Sequence, residues 1–221
     1  MIDSAVLLDA WDEAEALPVV IRGARLTHRL GLLPDGARAP LAACAAALVR
    51  VHTELFGRAL PVVVRCAGCD AELSADLDLS ALPAGAGTIT VELSSGPVDV
   101  RPLRTMDLLA AAQAPDPHAR LLAAMIDSPD RLTDADLVAV DGTAETQAGA
   151  AGVLLAMSCP DCGAIERAGV DLGHLVCGRV SQWAHDRLAE VDALARAYGW
   201  TEQQVLDLAP NRRARYLEFV S

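Results

Sequence analysis

Two short pairs of cysteines are the residues of this chain with the clearest chemical potential. Cys66 and Cys69 enclose two residues, and so do Cys159 and Cys162. A Cys-x-x-Cys turn directs two thiolates toward one point, and two such turns supply the four ligands of a tetrahedral structural Zn²⁺ site. A shell of four thiolates leaves no coordination position for water or substrate. The predicted zinc therefore stabilises the fold and does not catalyse.

Sequence typical of β-strands flanks each cysteine pair. An apolar run enters the first pair at residues 61–65 and the second pair at residues 153–158. Alternating apolar and polar residues leave the first pair, and residues 164–170 leave the second. The pattern predicts two strand-turn-strand units that close on one metal as a zinc ribbon. The segment between the two pairs then becomes an insertion.

A cytosolic dithiol redox protein or sensor that uses one Cys-x-x-Cys pair is the main alternative. It would need a pair that opens a helix within a βαβ pattern, where the helix terminus lowers the thiol pKa. A disulfide framework is disfavoured because the sequence starts without a signal-peptide pattern, which predicts a cytoplasmic protein with reduced thiols. Cys44 and Cys177 fall in helical patterns and are expected to be small core residues.

The composition predicts a protein with a real core and an acidic surface. Hydrophobic residues make up 52% of the 221 residues, and 30 acidic against 18 basic residues give a net charge of -12. Every basic residue is arginine, which excludes a P-loop lysine and Schiff-base chemistry. The acidic balance argues against a nucleic-acid-binding zinc ribbon. No apolar run is long enough for a membrane span, and no hydrolase motif is present, so we predict no enzyme.

The remaining pattern predicts an α+β protein in three parts. These are a helical N-terminal region at 1–58, a zinc-ribbon core at 59–170 with an insertion at 80–152, and a C-terminal helical arm at 171–221. The insertion contains a predicted hairpin with strands at 88–93 and 98–101. Its second half is acidic, and a solvated acidic surface is expected for Asp127, Asp130, Asp134, Asp136, Asp141 and Glu145.

The C-terminal region combines a long helix with a short basic one. Asp171 is a candidate N-cap for a helix that runs to Tyr198, and Pro210 begins the last helix. The last helix carries arginines beside aromatic residues. We consider two interpretations, docking to a protein partner and pairing with the chain's own carboxylates. The candidate partner-binding residues are Trp200, Arg212, Arg213, Arg215 and Tyr216.

Several separated stretches carry a resemblance to a known family. They are a Trp-containing N-terminal helix, Leu55-Phe56-Gly57, the two Cys-x-x-Cys turns, the stretch from Arg101-Pro102 to Asp107-Leu108, and the C-terminal runs 188–202 and 205–217. Together they resemble baseplate proteins of contractile phage tails and of tail-like contractile injection systems. The resemblance implies a non-enzymatic component or assembly factor of the baseplate hub, with protein partners. Ala209 stands where relatives tend to have Ser, and the first cysteine turn lacks the usual Pro and closing Gly.

Overall fold

Helices and short β-hairpins make up the protein, as the predicted α+β class requires. The computed structural model describes residues 2–127 and 132–220, so Asp130 lies outside the described residues. Within those ranges the helices are α1 (Ser4–Glu15), α2 (Val19–Arg29), α3 (Leu41–Phe56), α4 (Thr105–Ala111), α5 (Pro117–Met125), α6 (Asp134–Ala148), α7 (Leu172–Tyr198), α8 (Glu202–Leu206) and α9 (Pro210–Glu218). The strands are β1 (Ala59–Arg65), β2 (Glu72–Asp78), β3 (Ile89–Leu93), β4 (Gly96–Val100), β5 (Leu154–Ser158) and β6 (Ile165–Gly169).

Side-chain caps fix where several helices begin. The Asp3 carboxylate accepts hydrogen bonds from the first backbone N–H groups of α1, and the Asp171 carboxylate accepts one from the N–H of His174 in α7. Thr133 and Asp136 form a reciprocal capping box at the start of α6. Such caps satisfy N–H groups that have no partner inside the helix. Helix α7 ends at Tyr198, as predicted, and Gly199 follows it in the left-handed conformation.

Four helices share one apolar core. Leu7 of α1, Leu26 of α2 and Val51 of α3 are at most 1% exposed, and they pack with Val176 and Val180 of α7. The first half of α7 is thus an integral part of the helical region formed by the first 58 residues. The later part of α7 continues beyond that core and is followed by α8 and α9.

The six strands form three separate two-stranded antiparallel sheets. β1 pairs with β2, β3 with β4, and β5 with β6. The two halves of the predicted ribbon therefore do not merge into one sheet. At their base they meet in a second apolar cluster, where Leu60 of β1 packs with Val170, which follows β6, and with Leu172, the first residue of α7. At their opposite ends lie the two cysteine pairs.

The inserted hairpin β3–β4 packs on helices instead of on another strand. Leu93 and Val100 contact Leu122, Met125 and Val140 of α5 and α6 in a third apolar cluster. The observed strands match the predicted hairpin to within two residues.

One aspartate of the predicted acidic surface belongs to this packing. Asp136 is 5% exposed, and its carboxylate accepts hydrogen bonds from the N–H and hydroxyl of Ser94 and from the N–H and hydroxyl of Thr133. The expectation of a solvated side chain is wrong here because Asp136 ties the hairpin turn to α6. The other described members of the acidic group are exposed, namely Asp127, Asp134, Asp141 and Glu145.

A glycine-rich loop attaches the insertion to the helical core. A Cβ atom on Gly85 would lie 2.1 Å from the Cβ of Ala42 and 2.4 Å from the carbonyl oxygen of Gln147. Gly149 has a φ of 51°, and a Cβ atom on it would lie 2.3 Å from the backbone nitrogen of Gly85. The buried Gln147 amide donates to the carbonyl oxygens of Gly87 and Val100. The loop is therefore a packing element, where only glycine allows the backbones to approach so closely.

Candidate metal centre

The first cysteine turn, residues 66–70, is a compact loop between β1 and β2. The N–H of Asp70 donates to the carbonyl oxygen of Cys66 at 2.8 Å, and the N–H of Cys66 donates to the carbonyl oxygen of Ala71 at 2.9 Å. Asp70 has a φ of 60°, in the left-handed region. We call this turn the first knuckle.

The second cysteine turn, residues 159–163, repeats that geometry between β5 and β6. The N–H of Gly163 donates to the carbonyl oxygen of Cys159 at 3.0 Å, and the N–H of Cys159 donates to the carbonyl oxygen of Ala164 at 2.8 Å. Gly163 has a φ of 74°. In this second knuckle glycine occupies the left-handed position that Asp70 occupies in the first. Asp is one of the few other residues that tolerate it.

The four cysteine sulfurs form one cluster, as the sequence predicts. All four lie within 4.8 Å of one another. The Sγ atoms of Cys66 and Cys162 are 3.6 Å apart, as are those of Cys69 and Cys159. Four sulfurs at about 2.3 Å from a central Zn²⁺ would be about 3.8 Å apart, whereas a disulfide needs about 2.05 Å. The four-cysteine cluster thus has the size and the ligand set of a tetrahedral metal site.

The cluster lies at the tip of the two hairpins, with an inner and an outer side. Cys66 and Cys159 are 2% exposed and pack against Leu73 of β2. Cys69 and Cys162 are exposed. Each knuckle therefore contributes one buried and one exposed sulfur, and each close sulfur pair joins a buried thiol of one knuckle to an exposed thiol of the other.

A carboxylate that the sequence does not mark by any motif links the second hairpin to the first knuckle. Glu166 of β6 accepts a hydrogen bond from the N–H of Ala67 at 2.8 Å, and the same oxygen lies 3.4 Å from the sulfur of Cys66. This bond joins the second hairpin to the first turn without a metal. No local motif marks Glu166, because its role depends on which residue of β6 comes to face the other knuckle.

In the metal-free protein the thiols differ in acidity. Hydrogen bonds from the backbone N–H groups of Cys162 and Asp161 lower the pKa of Cys159 to about 7, although desolvation opposes them. Desolvation raises the pKa of Cys66 to about 12. The thiol of lowered pKa is a buried one, whereas a dithiol redox protein needs a reactive thiolate that is accessible. The convergence of all four sulfurs, rather than this difference in acidity, favours a ligand role over a dithiol protein that uses one Cys-x-x-Cys pair.

The remaining cysteines lie in helices, as expected for small core residues. Cys44 of α3 is 6% exposed within the helical core, and Cys177 of α7 is half-buried beside it. Burial raises the pKa of both thiols, that of Cys177 to about 12. Neither belongs to the four-cysteine cluster.

The predicted partner-binding arginines divide into one buried and two exposed residues. Arg213 is 4% exposed, and its Nε donates to the Glu190 carboxylate of α7 at 2.7 Å. Arg187 binds the same carboxylate oxygen. Arg213 therefore pairs with the chain's own carboxylate and fixes α9 to α7. Arg212 and Arg215 are exposed on α9.

The predicted aromatic partner residues form a cluster between α7 and α9. The ring centroids of Trp200 and Tyr216 are 4.9 Å apart, and those of Tyr198 and Trp200 are 4.8 Å apart. The Trp200 and Tyr216 side chains are half-buried. Phe219, at the end of α9, is 77% exposed. This end of the molecule thus presents exposed arginine and aromatic side chains together.

Within residues 2–127 and 132–220, no helix combines the length and the apolar character needed to cross a bilayer. Searches of protein-family models, of curated proteins and of solved structures found no match to this chain. Function must therefore be inferred from the residues and from the site that they form.

Proposed function

We propose that this protein is a non-enzymatic structural component or assembly factor of the baseplate of a contractile tail-like particle, from a phage or an injection system. One zinc ion bound by the four-cysteine cluster would hold its two hairpins together, and assembly with its protein partners would take place in the cytoplasm. The observation that carries the proposal is the closed four-sulfur cluster at the meeting point of two distant parts of the chain. Such a shell ties structure together and leaves no position for a substrate.

Residues in the stretches that resemble baseplate proteins form ion pairs within the fold. Arg101 and Asp107, which bracket one of these stretches, form a bidentate ion pair with distances of 2.8 and 3.0 Å. Arg213 of the C-terminal stretch binds Glu190. Charged side chains that are paired within the fold are poorly placed for acid–base catalysis. This use of the residues supports a scaffold role.

Zinc is the metal that the ligand set favours. Tetrahedral shells of four thiolates are typical of structural Zn²⁺ and of iron–sulfur centres. Paired Cys-x-x-Cys turns from two hairpins are the usual arrangement of zinc ribbons. The proposal therefore specifies one Zn²⁺ per chain.

Metal content of the purified protein tests this part of the proposal. We expect one zinc per chain by native mass spectrometry and elemental analysis, with no iron. Cys66→Ser and Cys159→Ser should each abolish binding, because each substitution leaves only three of the four sulfurs that close the tetrahedral shell. Cys177→Ser is the matched control and should keep a full equivalent of zinc, since Cys177 is outside the cluster. A full equivalent of zinc retained in either of these two variants would contradict the shared site.

The partner surface is proposed to be the exposed side of α9, with Arg212, Arg215 and Phe219. Arginine and aromatic side chains are enriched at the energetic centres of protein interfaces. The chain as a whole is strongly acidic, with a net charge of -12, so this basic end stands out from it. Charge complementarity therefore points to an acidic surface on a baseplate protein as the partner.

Genetic complementation tests the baseplate role. A strain that lacks this gene should produce few particles with complete baseplates in negative-stain electron microscopy, and the wild-type gene should restore them. Arg212→Glu with Arg215→Glu should restore them poorly. Arg38→Glu with Arg120→Glu is the matched control, since it reverses two arginines elsewhere on the surface. Normal particles in the deletion strain would refute the proposed role, whatever the metal content.

A further inference from the structure

We infer that the four-cysteine cluster is also an oxidation site, at which hydroperoxides replace the metal with two disulfides that cross between the knuckles, Cys66–Cys162 and Cys69–Cys159. The inference rests on the metal-binding part of the proposed function. It adds that the two hairpins can be held together in two chemically different ways, by zinc in a reducing compartment and by covalent bonds in an oxidising one.

The pattern of close contacts selects the crossed disulfides. All pairs of sulfurs lie within 4.8 Å, but the two contacts at 3.6 Å both join one knuckle to the other. These two contacts use each cysteine once. Both disulfides can therefore form in the same molecule without exchange of partners, after small rotations of the side chains.

The outer side of the cluster provides the point of attack. Cys69 and Cys162 are exposed, and each is the partner of a buried cysteine across the tip. A peroxide in solution can reach the two exposed sulfurs. The two buried sulfurs are then positioned as resolving thiols, because each lies beside one oxidised sulfur and is shielded from further peroxide.

Each disulfide forms in two steps that balance. The thiolate sulfur of Cys69 attacks one oxygen of hydrogen peroxide, the O–O bond breaks, and a sulfenic acid and hydroxide are produced. The thiolate of Cys159 then attacks the sulfenic sulfur, the S–S bond forms, and a second hydroxide leaves. The same two steps join Cys162 to Cys66. Two peroxide molecules thus oxidise four thiolates, and Zn²⁺ is released because no thiolate remains to bind it.

Glu166 preserves the alignment while the metal is lost. Its carboxylate accepts the N–H of Ala67 from the opposite knuckle, and this bond does not depend on zinc. The apolar cluster at the base of the two hairpins, which includes Leu60 and Val170, is also independent of the metal. The two hairpins are thus held together at the tip and at the base while the metal is replaced by disulfides.

The consequence for a particle component is durability after release. Zinc–thiolate sites in the cytoplasm are kept reduced, whereas disulfides persist outside the cell. A particle that leaves the cell would exchange one cross-link for the other at the same place in the fold. The tip would then withstand loss of its metal.

Tryptic mapping of the oxidised protein provides a direct test. The chain contains no lysine, and cleavage after arginine, with the Arg101–Pro102 bond resistant, places Cys66 and Cys69 in fragment 66–104 and Cys159 and Cys162 in fragment 132–167. Zinc-loaded protein is treated with two equivalents of hydrogen peroxide, alkylated and digested without reductant. We expect one zinc released per chain, measured with a chromogenic chelator, and the two fragments joined. Separate fragments, each with an internal disulfide, would overturn the inference.

Paired double variants test which cysteines join. Cys66→Ser with Cys162→Ser keeps the close pair Cys69 and Cys159, whereas Cys66→Ser with Cys159→Ser keeps the two exposed cysteines. Both variants lack the metal site, so they are matched. We expect the first to form its disulfide at least about tenfold faster; equal rates would contradict the proposed pairing.

Thermal melts separate this inference from the proposed function. Oxidised wild-type protein should keep its melting temperature in EDTA, whereas the reduced protein should lose stability on chelation. An oxidised protein that is as sensitive to heat as the reduced, chelated one would contradict the covalent lock. If the reduced protein contains no zinc, the metal-binding proposal fails, but the fragment map still reports whether disulfides join the two knuckles, and the double variants report which cysteines are paired.

Discussion

Two regions of the molecule stabilise short β-hairpins with different interactions. One is the tip, with its four-cysteine cluster, and the other is the inserted hairpin β3–β4. A two-stranded antiparallel sheet is marginal by itself in water and requires support from outside. At the tip, four sulfurs from two hairpins converge on one point. At β3–β4, the Asp136 carboxylate accepts four hydrogen bonds at the hairpin turn and at the start of α6, above an apolar cluster.

The two regions consequently respond to different conditions. Metal ligation depends on thiolates and is sensitive to chelators and oxidants. A buried, hydrogen-bonded carboxylate depends on remaining ionised and is sensitive to acid. The two hairpin systems therefore give two independent local reporters within one chain.

Removal of the proposed zinc should produce the largest effect, confined to the tip. We expect amide exchange in β5–β6 to accelerate at least about tenfold after chelation, which corresponds to about 1.4 kcal/mol of local stability. β1–β2 should change less, because Leu60, Val62 and Leu73 are buried whereas no side chain of β5–β6 is. Hydrogen-exchange mass spectrometry measures both.

The β3–β4 hairpin is the internal control for chelation, and its exchange should stay unchanged. Faster exchange in β3–β4 on chelation would break the comparison, since it would mean that the metal supports the whole insertion. Addition of zinc should reverse the changes in the tip.

Asp136→Asn should produce the second effect, confined to the β3–β4 hairpin. The amide nitrogen of Asn cannot accept hydrogen bonds from the Ser94 and Thr133 donors, so we expect a fall in melting temperature of about 5 °C. Asp134→Asn is the matched control, because Asp134 is exposed in the same first turn of α6. The zinc content of both variants should remain complete.

The buried Asp136 carboxylate should make the stability of the β3–β4 hairpin depend on pH. Hydrogen bonds from the Ser94 hydroxyl and N–H, followed by those from Thr133, hold the pKa of Asp136 well below its usual value. Its stabilisation is present above the unfolded pKa of about 3.9 and is lost as the pH falls through the folded pKa. The NMR signal of the Ser94 amide should therefore stay constant from about pH 7 to about pH 4. A titration of that signal near pH 5 would contradict the bonded carboxylate.

Glycine substitutions should produce the smallest effects and should differ between the two regions. Gly163 of the tip and Gly96 of the hairpin turn have φ values of 74° and 110°, and a Cβ atom added to either would meet no atom within 4 Å. Gly163→Ala should cost about 1 kcal/mol, because other residues reach the left-handed helical region at that energy. Gly96→Ala should cost about 2 kcal/mol, since a φ of 110° is more restricted to glycine. Denaturant unfolding of the zinc-loaded protein measures both, and equal costs would remove this distinction.

Local sequence signals predicted the elements and the four-cysteine cluster well. The four cysteines could be identified because each Cys-x-x-Cys pair lies within four consecutive residues. Asp171 could be recognised as the N-cap of α7 for the same reason, since a cap acts on its immediate neighbours. The β3–β4 hairpin was predicted from two strand-like segments on either side of a turn.

Features that depend on contacts between distant residues could not be predicted. Asp136 looks like one of several surface acids, and only the position of Ser94, 42 residues away, explains its burial. Arg213 likewise resembles its exposed neighbours until α9 packs against Glu190. Glu166 faces the first knuckle only because the two cysteine turns meet. In each case a polar residue acquires its role from a partner that its own segment does not contain.

The spacing of the two knuckles has a consequence for synthesis on the ribosome. Cys69 and its close partner Cys159 are 90 positions apart in sequence. At about 5–20 residues per second, the first pair of thiols would emerge roughly 5–20 s before the second is made. During that interval the nascent chain carries an incomplete, two-sulfur ligand that can be captured by other metals. Rapid translation of the insertion, or a chaperone that covers the first knuckle, would shorten this period of exposure.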